Sequence, residues 1–118
     1  FDEKDKLINI YTSKKNKIKI SEKENSEGVI ITDINENIFE TSKEGISLKS
    51  KKNIILNSDG LIKFDSKKGI DIKSSKDITI NGSNIKNVAK SKFSAKGSTS
   101  DLSASGNVKI KGSAVSIN

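Results

Sequence analysis

The chain has 118 residues, with 22 Lys and Arg against 15 Asp and Glu and a formal net charge of +7, enough for one domain or one fibrous segment but not for several. Only 31% of residues are hydrophobic and 4% aromatic, where an ordinary globular domain has roughly 45–50% apolar residues with glycine included, so a broad core is excluded. Neither Cys nor His occurs, which removes disulfides, thiolate and imidazole zinc sites, and catalysis by Ser-His-Asp or Cys-His sets.

Residues 1–29 read as an irregular β lead-in. Ile8 and Ile10, Ile18 and Ile20, and Val29 and Ile31 form apolar pairs two residues apart, a spacing that sends both side chains to one face of a strand. Their wide separation along the chain predicts broad corners or a hairpin start. The chain opens at Phe1 and contains no Met, so it is expected to be part of a longer protein. Neither a run of about 18 apolar residues nor a charged segment followed by an apolar one is present, so no membrane helix or Sec signal is expected.

Residues 30–90 carry a regular period of eight. Ile30, Ile38, Ile46, Ile54, Ile62, Ile70 and Ile78 occupy one register, and Leu48, Leu56, Phe64, Ile72, Ile80 and Val88 occupy a second, two residues further on. Between them lie Ser42-Lys43-Glu44-Gly45, Ser50-Lys51-Lys52-Asn53, Asn57-Ser58-Asp59-Gly60, Ser66-Lys67-Lys68-Gly69 and Ser74-Ser75-Lys76-Asp77. These residue types favour turns or tolerate positive φ. Each unit therefore reads as a short strand followed by a corner. The apolar residues are mostly β-branched and show no stripe at i, i+3, i+4 and i+7, so no helix is expected.

Residues 91–118 keep the period loosely, in Phe93 and Ala95, Leu102 and Ala104, Val108 and Ile110, and Val115 and Ile117. Ser, Gly and Ala crowd the stretch from Ser91 to Ser105, which predicts a narrower interior.

Ile, Leu, Val and Phe together exceed the roughly 20% below which highly charged chains stay disordered, so the chain can be ordered if they lie along a narrow line. A unit of one strand and one corner cannot bury its own face and must stack. One solution is a single-chain solenoid with three units per coil. The other is an intertwined triple-stranded β-helix, a trimeric β-prism in which each inward side chain meets its own copies around an axis. The second suits the composition better, because few large apolar residues suffice and pairing between chains removes open sheet edges. Its expected core is Ile30, Ile38, Ile46, Leu48, Ile54, Leu56, Ile62, Phe64, Ile70, Ile72, Ile78 and Ile80. At roughly 4.8 Å per stacked strand, a dozen repeats would make a rod on the order of 60 Å.

Ile8-Asn9-Ile10-Tyr11-Thr12, Asn16-Lys17-Ile18-Lys19-Ile20 and Gly28-Val29-Ile30-Ile31-Thr32-Asp33 resemble the lead-in of the C-terminal needle of VgrG, the type VI secretion spike protein. Gly45-Ile46-Ser47-Leu48 and Asp77-Ile78-Thr79-Ile80 resemble its repeats, and the run from Asp101 to Asn118 resembles its ending. The resemblance spans essentially the whole chain and extends to spikes of contractile phages and extracellular injection particles. It implies a non-enzymatic homotrimer that acts mechanically: sheath contraction drives a rigid spike through a target envelope, with transient contact with the target membrane. It also implies a PAAR-repeat tip protein seated on the C-terminal end, at Val115, Ser116, Ile117 and Asn118. Tube, baseplate and effectors would be engaged through a part of the protein before Phe1. Assembly would take place in the bacterial cytoplasm, followed by secretion into the target cell or medium. Some related phage spikes end in a His cluster that holds a metal; with no His here, no metal and no cofactor are expected.

Other patterns point less far. The lysines are interspersed with Asp and Glu and lack an aromatic stacking set, so a solvated face is expected rather than a specific nucleic-acid site. Asn81-Gly82-Ser83 fits a glycosylation sequon but also a tight turn. Asp59-Gly60 and Asp77 lack the glycine-rich nonapeptide pattern of repeat calcium sites. Asp65 and Asp71 would be the carboxylate pair of a carbohydrate-active solenoid, though no aromatic platform for sugar accompanies them. A trimeric surface fibre or adhesin segment is the remaining alternative to a spike.

Overall fold

The computed structural model describes Phe1–Asn118, which divide into two units, Phe1–Lys68 and Gly69–Asn118. No helix is present. Five strands, all in the first unit, form one antiparallel meander in sequence order: β1 (Leu7–Tyr11), β2 (Lys17–Ser21), β3 (Gly28–Thr32), β4 (Ile38–Ser42) and β5 (Gly45–Lys49). The chain is therefore all-β, and the hairpin start anticipated from the wide spacing of the first apolar pairs continues through Lys49. The expected boundary between lead-in and octads, at residue 30, falls inside β3.

Each hairpin turns on one residue with a left-handed backbone: Lys15 between β1 and β2, Asn25 between β2 and β3, Glu36 between β3 and β4, and Gly45 where β5 begins. Local hydrogen bonds hold these corners. In the first, the Thr12 N–H donates to the Asn16 carbonyl at 3.0 Å and the Lys15 N–H to the Thr12 carbonyl at 3.2 Å. In the third, Asp33 Oδ1 accepts the backbone N–H groups of Asn35 and Asn37, both at 2.9 Å, and Asp33 Oδ2 accepts Asn37 Nδ2 at 3.0 Å. The Asn16 side chain links the first and third corners by accepting the Ile34 N–H at 3.0 Å.

The register fixes which side chains share a face, because directly paired residues in an antiparallel ladder point the same way. One face runs Ile8–Ile20–Val29 and Ile10–Ile18–Ile31–Phe39–Leu48, with Thr41 paired to Ile46. Apart from Thr41 every residue on it is apolar. The other face runs Asn9–Lys19–Ile30–Glu40–Ser47 and Tyr11–Lys17–Thr32–Ile38–Lys49. This is the two-sided pattern of a sheet with one face meant for packing and one for water.

Within Phe1–Lys68 no second sheet or helix covers the apolar face. No hydrophobic residue is buried anywhere, and Ser21 is the one buried residue.

Past Lys49 no residue takes part in strand pairing, and the backbone runs extended between regularly placed bends. The bends fall at 51–52, 59–60, 67–68 and 75–76, then at 83, 90–91, 98–99, 105–106 and 113. The period of eight read from the isoleucines is thus present in the backbone as one bend per unit.

Candidate functional site

The corners of the octads share one device. Ser42, Ser50, Ser58, Ser66 and Ser74 each accept, through Oγ, the backbone N–H two residues on, at Glu44, Lys52, Gly60, Lys68 and Lys76, over 3.0–3.4 Å. A hydroxyl at this spacing mimics a backbone turn and fixes the bend without a partner strand. Five consecutive corners made alike set the intervening strands to equal length.

Every residue from Lys51 to Asn118 is exposed. The apolar members of the octads are exposed with the rest, Ile72 at 74% and Phe64 at 70% among them. Its backbone is extended and unpaired by any strand of the chain, and the apolar side chains beside it stand in solvent; burying those side chains would require partners for the neighbouring N–H and C=O groups.

The chain exposes 12386 Å², about twice the roughly 6,300 Å² of a folded monomer of its mass. The excess, on the order of 6,000 Å², is surface that a compact chain of this mass would bury against itself.

The twelve residues assigned to the axial core fall into three groups. Ile46 and Leu48 lie on the apolar face of β5, with Leu48 opposite Phe39 and Ile46 opposite Thr41. Ile54, Leu56, Ile62, Phe64, Ile70, Ile72, Ile78 and Ile80 lie in the extended octads, all exposed. Ile30 and Ile38 lie on the other face of the sheet, half-buried, opposite Glu40 and Lys49. The residues of β3 and β4 that share a face with Leu48 are Ile31 and Phe39. The octad count alone selects Ile30 and Ile38; pairing with Ile18 and Ile20 selects Val29 and Ile31. The signal lay in the consecutive apolar runs Val29-Ile30-Ile31 and Ile38-Phe39, where either register is available to a strand.

Val115, Ser116, Ile117 and Asn118 follow the last bend in extended, exposed backbone, with Ile117 at 85%. No group of three or more His, Cys, Asp or Glu side chains comes together as a metal-holding set. Asp65 forms an exposed ion pair with Lys63 at 3.7 Å, and Glu36 another with Lys51 at 3.7 Å; exposed pairs of this kind contribute little. Asp33 is the titratable group with a shifted pKa, held below its ordinary value first by the backbone N–H of Asn37 and then by the Asn37 side chain.

No protein-family model matches the chain, and no curated protein is significantly similar to it.

Proposed function

We propose that this chain is the needle segment of a structural spike, a homotrimeric triple-stranded β-helix belonging to a type VI secretion system or a related contractile injection machine. The observation that carries it is the row of equal octads after Lys49. Each has a Ser-made corner, an exposed apolar pair and a backbone without a strand partner in its own chain. Three copies wound together give each strand neighbours from the other chains and bring Ile54, Ile62, Ile70 and Ile78 to a common axis. The VgrG-like order of lead-in, octads and closing segment supplies the functional class.

The activity of such a body is mechanical, and the residues that matter are structural rather than catalytic. Stiffness comes from axial packing of the inward side chains and from ladders between chains, so unfolding and dissociation become one event. In this proposal Val115–Asn118 offer three exposed strand ends and apolar side chains on which a PAAR-repeat tip protein extends the pairing. The Lys-rich corners remain outward and solvated.

Sedimentation equilibrium across a dilution series tests the proposal. A concentration-independent mass three times the 12.8 kDa of one chain is the expected result. A folded monomer at every concentration would overturn it and leave the single-chain solenoid. A trimer that fails to capture a PAAR-repeat protein but binds cell surfaces would make the chain a fibre or adhesin segment.

A further inference from the structure

The two parts of the chain differ in what they require in order to fold. Residues 7–49 form their whole hydrogen-bond ladder from neighbouring segments of one chain, through short hairpins with built corners. Residues 51–118 form no ladder at all within the chain. Local pairings close small loops and form fast, whereas pairings between separate chains wait on encounter.

We infer that the β1–β5 meander is the trimerisation nucleus, docking through its uncovered apolar face onto second and third copies of itself, and that the octads zip from Lys49 toward Asn118 only after this docking. The inference rests on the trimeric reading above. A sheet with one apolar face must bury it against another layer. From Ile8 and Ile10 on β1 to Ile46 and Leu48 on β5 the face is apolar except at Thr41, and the chain contains no further strand or helix to cover it.

Another copy of the chain is the occupant because the apolar spacing of β5 continues without interruption into the octads. Ile46 and Leu48 of β5 are followed at the same spacing by Ile54 and Leu56, then Ile62 and Phe64. A body that packs Leu48 against its copies therefore delivers the next apolar pair to the same axis one unit later. Joining three meanders converts the remaining strand pairings into steps within one complex, at an effective concentration in the millimolar range for short connections.

Refolding kinetics of the full chain decide the matter. Two variants remove the same chemistry from the two parts: Ile18→Thr, Ile20→Thr and Ile31→Thr in the meander, and Ile70→Thr, Ile72→Thr and Ile78→Thr in the octads. Thr keeps the β-branched shape and strand preference while removing apolar surface. A nucleus mutation slows folding, and a mutation formed after the nucleus speeds unfolding. The meander variant is expected to refold to trimer at least about tenfold more slowly, with an unfolding rate close to that of the original chain. The octad variant is expected to refold at the original rate and unfold at least about tenfold faster.

Equal slowing by both, or slowing by the octad variant alone, overturns the nucleus. Should the meander variant not fold at all, the milder set Ile18→Val, Ile20→Val and Ile31→Val gives the same comparison, and the octad variant's refolding rate remains decisive by itself. An unmutated chain that is monomeric throughout defeats the trimeric reading instead, which separates the two failures.

Discussion

Val29 and Thr41 meet where the ladder between β3 and β4 stops. The regular register runs from Thr32 and Ile38 to Ile30 and Glu40; beyond it the Val29 N–H donates to Thr41 Oγ1 at 3.0 Å instead of to a backbone carbonyl. The Thr41 carbonyl oxygen lies so close to Gly28 that an added Cβ would overlap it, and Gly28 has a φ of +143°. A side-chain hydroxyl and a missing side chain together let the two strands approach while the ladder is interrupted.

Gly28→Ala should therefore destabilise the meander strongly. The clash is with backbone, which cannot swing aside, and the left-handed conformation adds strain of its own, on the order of 1–3 kcal/mol. Denaturant unfolding followed by circular dichroism should show a lower midpoint. Thr41→Val, which removes the acceptor but keeps the shape, should cost about 1 kcal/mol. Gly45→Ala is the useful contrast, since an added Cβ there meets open space and only its φ of +124° opposes it.

The Ser corners predict a small, repeated effect. Ser58→Ala removes the bond from the Gly60 N–H at 3.0 Å. This bend is exposed and water can replace the hydroxyl, so one substitution should cost roughly 0.5 kcal/mol or less. Ser50→Ala, Ser58→Ala and Ser74→Ala are separated by octads and should add, to roughly 2 kcal/mol or less together, with the largest share from Ser50→Ala, which also removes the bond that its hydroxyl donates to Asn37 Oδ1. Thermal unfolding of the single and triple variants checks both magnitude and additivity. A single variant as damaging as the triple would mean the corners act as one cooperative unit.

The all-β character was legible from the alternation at Ile46-Ser47-Leu48 and its repeats, because period two is the direct signature of a strand with one apolar face. The corners were legible too, since Ser at every eighth position has a local backbone target. The facing of β3 was legible in two ways, since Val29 and Ile31 read as a pair while the octad count takes Ile30, and the facing of β4 was not legible. Val29-Ile30-Ile31 satisfies two registers, and the choice depends on pairing with Ile18 and Ile20, a relation between segments that no count along the chain contains. Thr41, Asn16 and Asn37 were passed over for a similar reason. Each makes its bond to a segment at least twelve residues away, Asn16 to Ile34 and Thr41 to Val29, while Asn37 Oδ1 accepts the Ser50 hydroxyl at 3.0 Å.

Asp33 predicts a local dependence on acid. Its carboxylate accepts the Asn35 and Asn37 N–H groups, and the Asn37 contacts hold its pKa below the ordinary 3.8. A depressed carboxyl pKa contributes order that is fully present above the unfolded value, near 3.8, and is lost as pH falls through the lower folded value. Amide exchange at Asn35 and Asn37, corrected for the intrinsic acid dependence, should lose protection in that window below pH 3.8. Asp33→Asn should remove the step, leaving protection at these amides flat across the same range.

Deleting residues 115–118 separates the end of the chain from its body. These residues lie beyond the last bend, at 113, and form no strand pairing in their own chain. In the proposed needle they terminate the stack rather than support the units before it, so the shortened chain should keep the sedimentation mass of the full one. It should lose capture of a PAAR-repeat protein, because that partner would find neither the strand ends nor Val115 and Ile117 to pair with and cover. Val115→Ser with Ile117→Ser tests the same surface without shortening the backbone and should weaken capture by roughly tenfold or more, the scale of removing two partly buried aliphatic contacts. Undiminished capture by the shortened chain would place the tip-binding surface elsewhere. A fall in mass on deletion would make the last strand part of the trimer's own support.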